Sequence, residues 1–230
     1  MMKLLLRCLL FLLIIVGLFS MKQQKKTRVV FFGDSITQMG MNDGGFIVRM
    51  KDELKKKGLA SQYDLIGAGV GYDKVYDLYL RMDSDVIAKN PDIVFIWVGV
   101  NDVGHKITGT GTDPEKFERF YEAIIKKLQA KNIQLVLVTP AVIGERTDMT
   151  NRIDGDLNYY AKMIRDLAGK YNWRLIKMRK AYLDYDLKNN PENNEKGILT
   201  VDGIHPTAAG NLLIAKEMMK VLIPGLEWED

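Results

Sequence analysis

Asp92-Ile93-Val94-Phe95-Ile96-Trp97-Val98 (DIVFIWV) is the run on which the reading of this 230-residue chain turns. After Asp92 it carries no polar side chain, so neither face suits water. A strand that is apolar on both faces belongs inside a sheet covered on both sides. Upstream, Arg28 to Phe32 is a second compact β-branched and aromatic run, stopped by Gly33. Tyr63 to Ile66 is a short strand that ends in the glycine-rich stretch Gly67 to Gly71. Downstream, Gln134 to Val138 and Arg174 to Met178 read the same way. Between the strands lie helical patterns. Phe46 to Lys57 places Phe46, Ile47, Met50 and Leu54 on one face and stops at Gly58. Further helices are expected over Val75 to Lys89, Pro114 to Ala130, Leu157 to Tyr171 and Ala208 to Leu222. The third of these opens with Asp113 as a cap and Pro114 in the first helical position. Buried strands alternating with helices predict one α/β domain with a five-stranded parallel sheet.

Composition narrows the function. The hydrophobic content of 47% over 230 residues is enough for one sizeable core. The formal net charge is +4 from 33 basic and 29 acidic side chains. Without Lys3 and Arg7 the balance is 31 minus 29, or +2. That excess lacks the concentrated basic face of a nucleic-acid partner, and the run Lys51 to Lys57 reads as the solvated face of one helix. Lys3 and Arg7 precede an uncharged run, Cys8 to Phe19, and Ser20 follows it. A basic start, a short apolar stretch and a small residue predict a secretory signal peptide over 1–20. Residues 21–27 then form a linker to a domain over 28–230. The bulk of Leu18 and Phe19 at the expected cut leaves a retained N-terminal anchor as the alternative. Cys8 is the single cysteine and lies inside that segment, so thiol catalysis, thiolate metal sites and disulfides are excluded downstream of it.

Ligands of open parallel sheets bind beyond the carboxyl ends of the strands. Ser35 stands two residues past the first strand, in Gly33-Asp34-Ser35-Ile36-Thr37. A serine hydroxyl attacks only when a base takes its proton, and near neutral pH that base is histidine. His205 lies in Val201-Asp202-Gly203-Ile204-His205-Pro206, just before the last helix, with Asp202 placed to hold the imidazole in one tautomer. Asn101, in Gly99-Val100-Asn101-Asp102 after the third strand, carries an amide that can donate to an oxyanion. Taken singly, each has a plainer reading: a helix cap for Ser35, a loop hydrogen bond for Asp202 and His205, a turn for Asn101. His105 reads as a plain surface histidine, with a place on the rim of the pocket as the alternative. A dinucleotide fingerprint at Gly67 to Tyr72 fails, because Tyr72 replaces its third glycine and no acidic residue closes a second strand about 20 residues on. No phosphate-binding loop and no cluster of metal ligands is present, so no metal or other cofactor is expected.

Together and in this order, Gly-Asp-Ser, Gly-x-Asn-Asp and Asp-x-x-His resemble the SGNH (GDSL-like) hydrolase family from about Arg28 to Leu222. The resemblance implies a flavodoxin-like three-layer α/β/α sandwich and a cofactor-independent acyl-ester hydrolase with Ser35, Asp202 and His205 as its triad. It also implies an oxyanion hole formed by the Ser35 N–H, a second-block N–H and the Asn101 amide. The second block departs from the family's Asn-x-Gly-x-x-Gly. This chain reads Gly67-Ala68-Gly69-Val70-Gly71-Tyr72, so Tyr72 falls where the donor glycine is expected, or Gly71 after a one-residue slip. Short acyl groups such as acetyl esters on glycans are the expected substrates. Lysophospholipid or thioester cleavage is the alternative, as is a catalytically silent glycan-binding module on the same fold.

Overall fold

The computed structural model describes residues 25–228; the expected signal peptide, with Cys8, lies outside the described residues. Strand β1 (Thr27–Gly33) lies inside the sheet, with Val29 to Gly33 buried. Strand β2 (Tyr63–Gly69) pairs with one edge of β1 and strand β3 (Ile93–Trp97) with the other. Strands β4 (Gln134–Val138) and β5 (Arg174–Ile176) continue outward, giving the all-parallel order β2-β1-β3-β4-β5. This is the doubly wound order of flavodoxin-like sheets, whose switch point falls between β1 and β3.

The two-faced apolarity of the strands divides the core into two layers. Val29 and Phe31 of β1, Phe95 and Trp97 of β3, and Val136 and Val138 of β4 face one side. That side is covered by α2 (Phe46–Lys56), α7 (Met178–Asn189) and α8 (Ala208–Leu222). Phe46 makes edge contacts with Phe31 at 5.7 Å and Trp97 at 5.8 Å between ring centroids. Val30, Phe32, Val94, Ile96, Leu135 and Leu137 face the other side, covered by α3 (Val75–Asp85), α5 (Pro114–Gln129) and α6 (Asp154–Tyr171). Burying one such aromatic or branched side chain stabilises the fold by roughly 1.5–3 kcal/mol, so the sheet centre is the most rigid mount the chain offers.

Three elements escape the hydrophobic pattern. Short helices α1 (Ser35–Met39) and α4 (Val100–Gly104) follow β1 and β3, and α7 follows β5 where the sequence pattern marks no element. The inner face of α7 carries Arg179 and Asp186 beside Met178 and Tyr182, which hides its periodicity. The helix expected over Val75 to Lys89 divides at Val86 into α3 and a 3-10 turn, Ile87–Lys89. Strand β2 runs on through Gly69, because pairing with β1 continues to Gly33. Among the described residues no helix is long and apolar enough to cross a membrane.

Candidate active site

Parallel pairing brings Gly33 opposite both Gly69 and Trp97, so β1, β2 and β3 end at one level. Asp34 follows in an extended conformation and caps α1, its Oδ1 accepting the Ile36 N–H at 3.0 Å. Ser35 is therefore the first residue of a short helix at the sheet's carboxyl edge. Burial pushes the Asp34 carboxyl up to about 7, with Asp102 and Asp73 adding to the rise and the Ile36 N–H opposing it.

His205 arrives from the loop before α8. Its Nε2 lies 2.9 Å from Ser35 Oγ, and its Nδ1 lies 2.7 Å from Asp202 Oδ2. The other oxygen of Asp202 accepts the N–H groups of Ile204 at 2.9 Å and His205 at 2.8 Å. Partial burial works to raise the Asp202 carboxyl, but the donors from His205 and Ile204 prevail and hold it below the ordinary carboxylate range. Asp202 thus keeps its charge where an imidazolium would form. The imidazole thus bridges the Ser35 hydroxyl on one side and a carboxylate on the other.

Glu145, from the long loop between β4 and α6, holds the histidine-bearing segment in place. Its buried carboxylate accepts the N–H groups of Ile198 and Leu199, each at 2.9 Å, together with the N–H and hydroxyl of Thr200. The main chain adds Gly144 N–H to Gly203 C=O at 2.8 Å. Nothing in the local sequence around Glu145 signals this role, since its partners are more than 50 residues away.

The second and third loops supply polar groups from the opposite side. Gly69 is required, because a Cβ there would collide with the backbone N of Gln38 and with Asp34 O in the turn that carries Ser35. Tyr72 adopts a left-handed backbone conformation, φ 67°. Its side chain is 78% exposed and lies beside the His105 ring, with centroids 6.1 Å apart. His105 is partly buried. Asn101 is buried, and its Nδ2 donates to Asp73 C=O at 3.0 Å, which leaves the second amide hydrogen for another acceptor. The φ of 136° at Gly99 turns the chain from β3 into α4 and so aims Asn101. Beneath it, the Asp102 Oδ1 accepts the Val75 N–H at 3.1 Å, and burial pushes that carboxyl up to about 6.

Among the described residues no group of His, Cys, Asp and Glu side chains is arranged to hold a metal ion. Two open clefts, lined in part by Lys25, Asp92 and Gln134, lie at the amino ends of the strands, away from Ser35.

The model of the GDSL-like lipase/acylhydrolase family matches residues 31–213. An acetyl xylan esterase of known crystal structure is 55% identical, with 85% of this chain and 100% of that chain covered at a TM-score of 0.84. The acetylxylan esterase of Geobacillus stearothermophilus is 25% identical over 225 residues, 90% of this chain and 98% of its own. A crystal structure of the acetylxylan esterase Axe2 from that organism, 21% identical, shares the fold at a TM-score of 0.77 over 91% of this chain and 99% of its own. The chain is a carboxylic ester hydrolase and belongs to the GDSL-like lipase/acylhydrolase, or SGNH, family.

Proposed function

We propose that this protein removes acetyl groups from an acetylated xylan-type glycan, with Ser35 as nucleophile, His205 as general base and acid, and Asp202 as the group that orients it. The hydrogen-bonded chain from Ser35 Oγ through His205 to Asp202, at 2.9 and 2.7 Å, carries this reading. The substrate rests on likeness to acetyl xylan esterases, one of them 55% identical.

In the first step His205 Nε2 takes the Ser35 proton as Oγ attacks the acetyl carbonyl. The carbonyl oxygen becomes an oxyanion, received by the N–H groups of Ser35 and Tyr72 and by the free hydrogen of the Asn101 amide. His205 then gives its proton to the departing sugar oxygen, leaving an acetyl-serine. Water, deprotonated by His205, attacks that ester; acetate leaves and Ser35 recovers its proton. Tyr72 is the preferred second-block donor because its backbone is left-handed at the position where the family carries glycine. Its ring turns outward with His105, so it does not wall the acyl group but offers a face to the sugar. Export accounts for access to a glycan and agrees with the basic and apolar pattern of residues 3–20.

The test is acetate release from acetylated xylo-oligosaccharides, alongside aryl esters from acetyl to decanoyl. Acetyl esters should turn over fastest, and Ser35→Ala should neither hydrolyse them nor react with a fluorophosphonate. Equal turnover of decanoyl and acetyl esters, or activity surviving in Ser35→Ala, overturns the reading.

A further inference from the structure

Arg81, on α3, takes no part in the chemistry described above, yet its guanidinium reaches the backbone before Ser35 and residues on both sides of Tyr72. Nη2 donates to Gly33 C=O at 2.8 Å and Nη1 to Ala68 C=O at 3.0 Å. Nε donates to Asp73 Oδ2 at 2.6 Å, and Nη1 also meets Asp85 Oδ2 at 3.0 Å. The side chain is only 16% exposed and lies over the Phe32 ring, 4.7 Å from its centroid. Gly33 is the last residue of β1, two before Ser35. Ala68 is the penultimate residue of β2, four before Tyr72. Asp73 follows Tyr72, and its carbonyl accepts the Asn101 amide at 3.0 Å.

We propose that Arg81 is a positioning residue for the oxyanion hole, acting on Tyr72 and Asn101 through Asp73 and on Ser35 through Gly33. This rests on the esterase reading given above. The geometry calls for arginine. A planar guanidinium fork reaches two strand carbonyls and a carboxylate at once, whereas a lysine ammonium is a point charge on a flexible stem. The consequence for rate follows from preorganisation. Donors to an oxyanion act only when fixed where charge develops, and a displacement of about 1 Å can cost ~10²-fold. Substrate binding before charge develops should be little affected.

The experiment is steady-state hydrolysis of p-nitrophenyl acetate by Arg81→Lys, Arg81→Met and Asp73→Asn, each alone and combined with Asn101→Ala. Thermal unfolding is recorded for every protein. Alone, Arg81→Lys should lower kcat about tenfold and Arg81→Met nearer a hundredfold, while KM stays within about threefold. The pH at which activity falls on the acid side should not move, because Asp202 and His205 are untouched. In the Asn101→Ala background the Arg81→Lys loss should shrink to about threefold, since the share that Arg81 exerts through Asn101 is already gone. Asp73→Asn, which keeps the carbonyl but weakens its anchor, gives the same comparison should an Arg81 variant fail to fold. A full, additive loss on top of Asn101→Ala overturns the proposal, as does a loss expressed in KM or a shifted acid limb. If Asn101→Ala alone loses nothing, the oxyanion assignment itself is wrong and the role of Arg81 falls with it.

Discussion

Replacing Asp202 by Asn separates orientation from charge, because the structure determines which way the new amide must turn. Oδ1 of Asp202 accepts two backbone N–H groups, from Ile204 at 2.9 Å and His205 at 2.8 Å, while Oδ2 faces His205 Nδ1 at 2.7 Å. An asparagine has one acceptor oxygen for these three donors. Placing it at the two backbone groups keeps two hydrogen bonds, each worth about 1 kcal/mol net. The amide NH₂ then points at Nδ1, which accepts it only by giving up its proton. Nε2 must carry the hydrogen instead and becomes a donor toward Ser35, so it no longer serves as a base. Reversing the amide restores the base but loses both backbone bonds and sets NH₂ against two N–H groups, a cost of about 2–3 kcal/mol. The productive tautomer should thus be populated at roughly one part in 30 to 150. Loss of the negative charge beside the developing imidazolium adds to the deficit, discounted because Asp202 is 49% exposed. Asp202→Asn should lose ~10²–10³ in kcat/KM on p-nitrophenyl acetate. It should also be no better than Asp202→Ala, which leaves the imidazole free to choose its tautomer. An Asn variant more than tenfold faster than the Ala variant would refute the tautomer argument.

Ser35→Ala and His205→Ala should each abolish ester hydrolysis, and the double variant should be hardly worse than either; additive losses in kcat/KM would argue against a shared proton transfer. Glu145→Ala strands three backbone N–H groups and the Thr200 hydroxyl in a buried site. At about 1–3 kcal/mol per unsatisfied group it should lower Tm by roughly 10 °C or more, and an unchanged Tm would show that the loop is held elsewhere. Asp186 is buried with neither carboxylate oxygen hydrogen-bonded, and burial, reinforced by Glu145, pushes it from 3.8 to about 7. The folded chain therefore keeps a proton that the unfolded chain releases, so this contribution is complete below the unfolded pKa and is lost as pH rises toward about 7. Asp186→Asn should consequently raise stability near pH 8, by up to roughly 4 kcal/mol, and change little near pH 4. Denaturant midpoints at the two pH values decide it, and equal shifts at both would count against the assignment.

What was legible in the sequence was local. The run DIVFIWV shows its two apolar faces directly, and the register that aligns Gly33 with Trp97 follows once the strands pair in parallel. Ser35 and Asn101 stand just past strand ends, which the topology brings to one edge, while Asp202 and His205 share a short motif before the last helix. The helix α7 was hidden because Arg179 and Asp186 take inner positions that apolar residues would have marked. Glu145 and Arg81 were hidden for a different reason. Their work is done on backbone groups far along the chain, 48 residues for Arg81 to Gly33 and 53 for Glu145 to Ile198, and such pairings leave no periodicity. The outward ring of Tyr72 likewise depends on where His105 comes to rest.

The irregular second block shows how these levels combine. What a glycine supplies at the position of Tyr72 is ready access to a left-handed backbone. A tyrosine can take the same φ of 67° at a cost of about 1–2 kcal/mol. That cost is borne where the neighbours leave little choice. Gly69 packs against the turn of Ser35, Asp73 is gripped by Arg81, and the Asp73 carbonyl is held by Asn101. The loop is therefore fixed by its tethers more than by its composition, so a side chain can be added without moving the backbone. With φ held, the ring projects into solvent beside His105. On the proposed mechanism, a tyrosine at this position therefore keeps the left-handed turn that a glycine would supply and adds an exposed aromatic ring beside it.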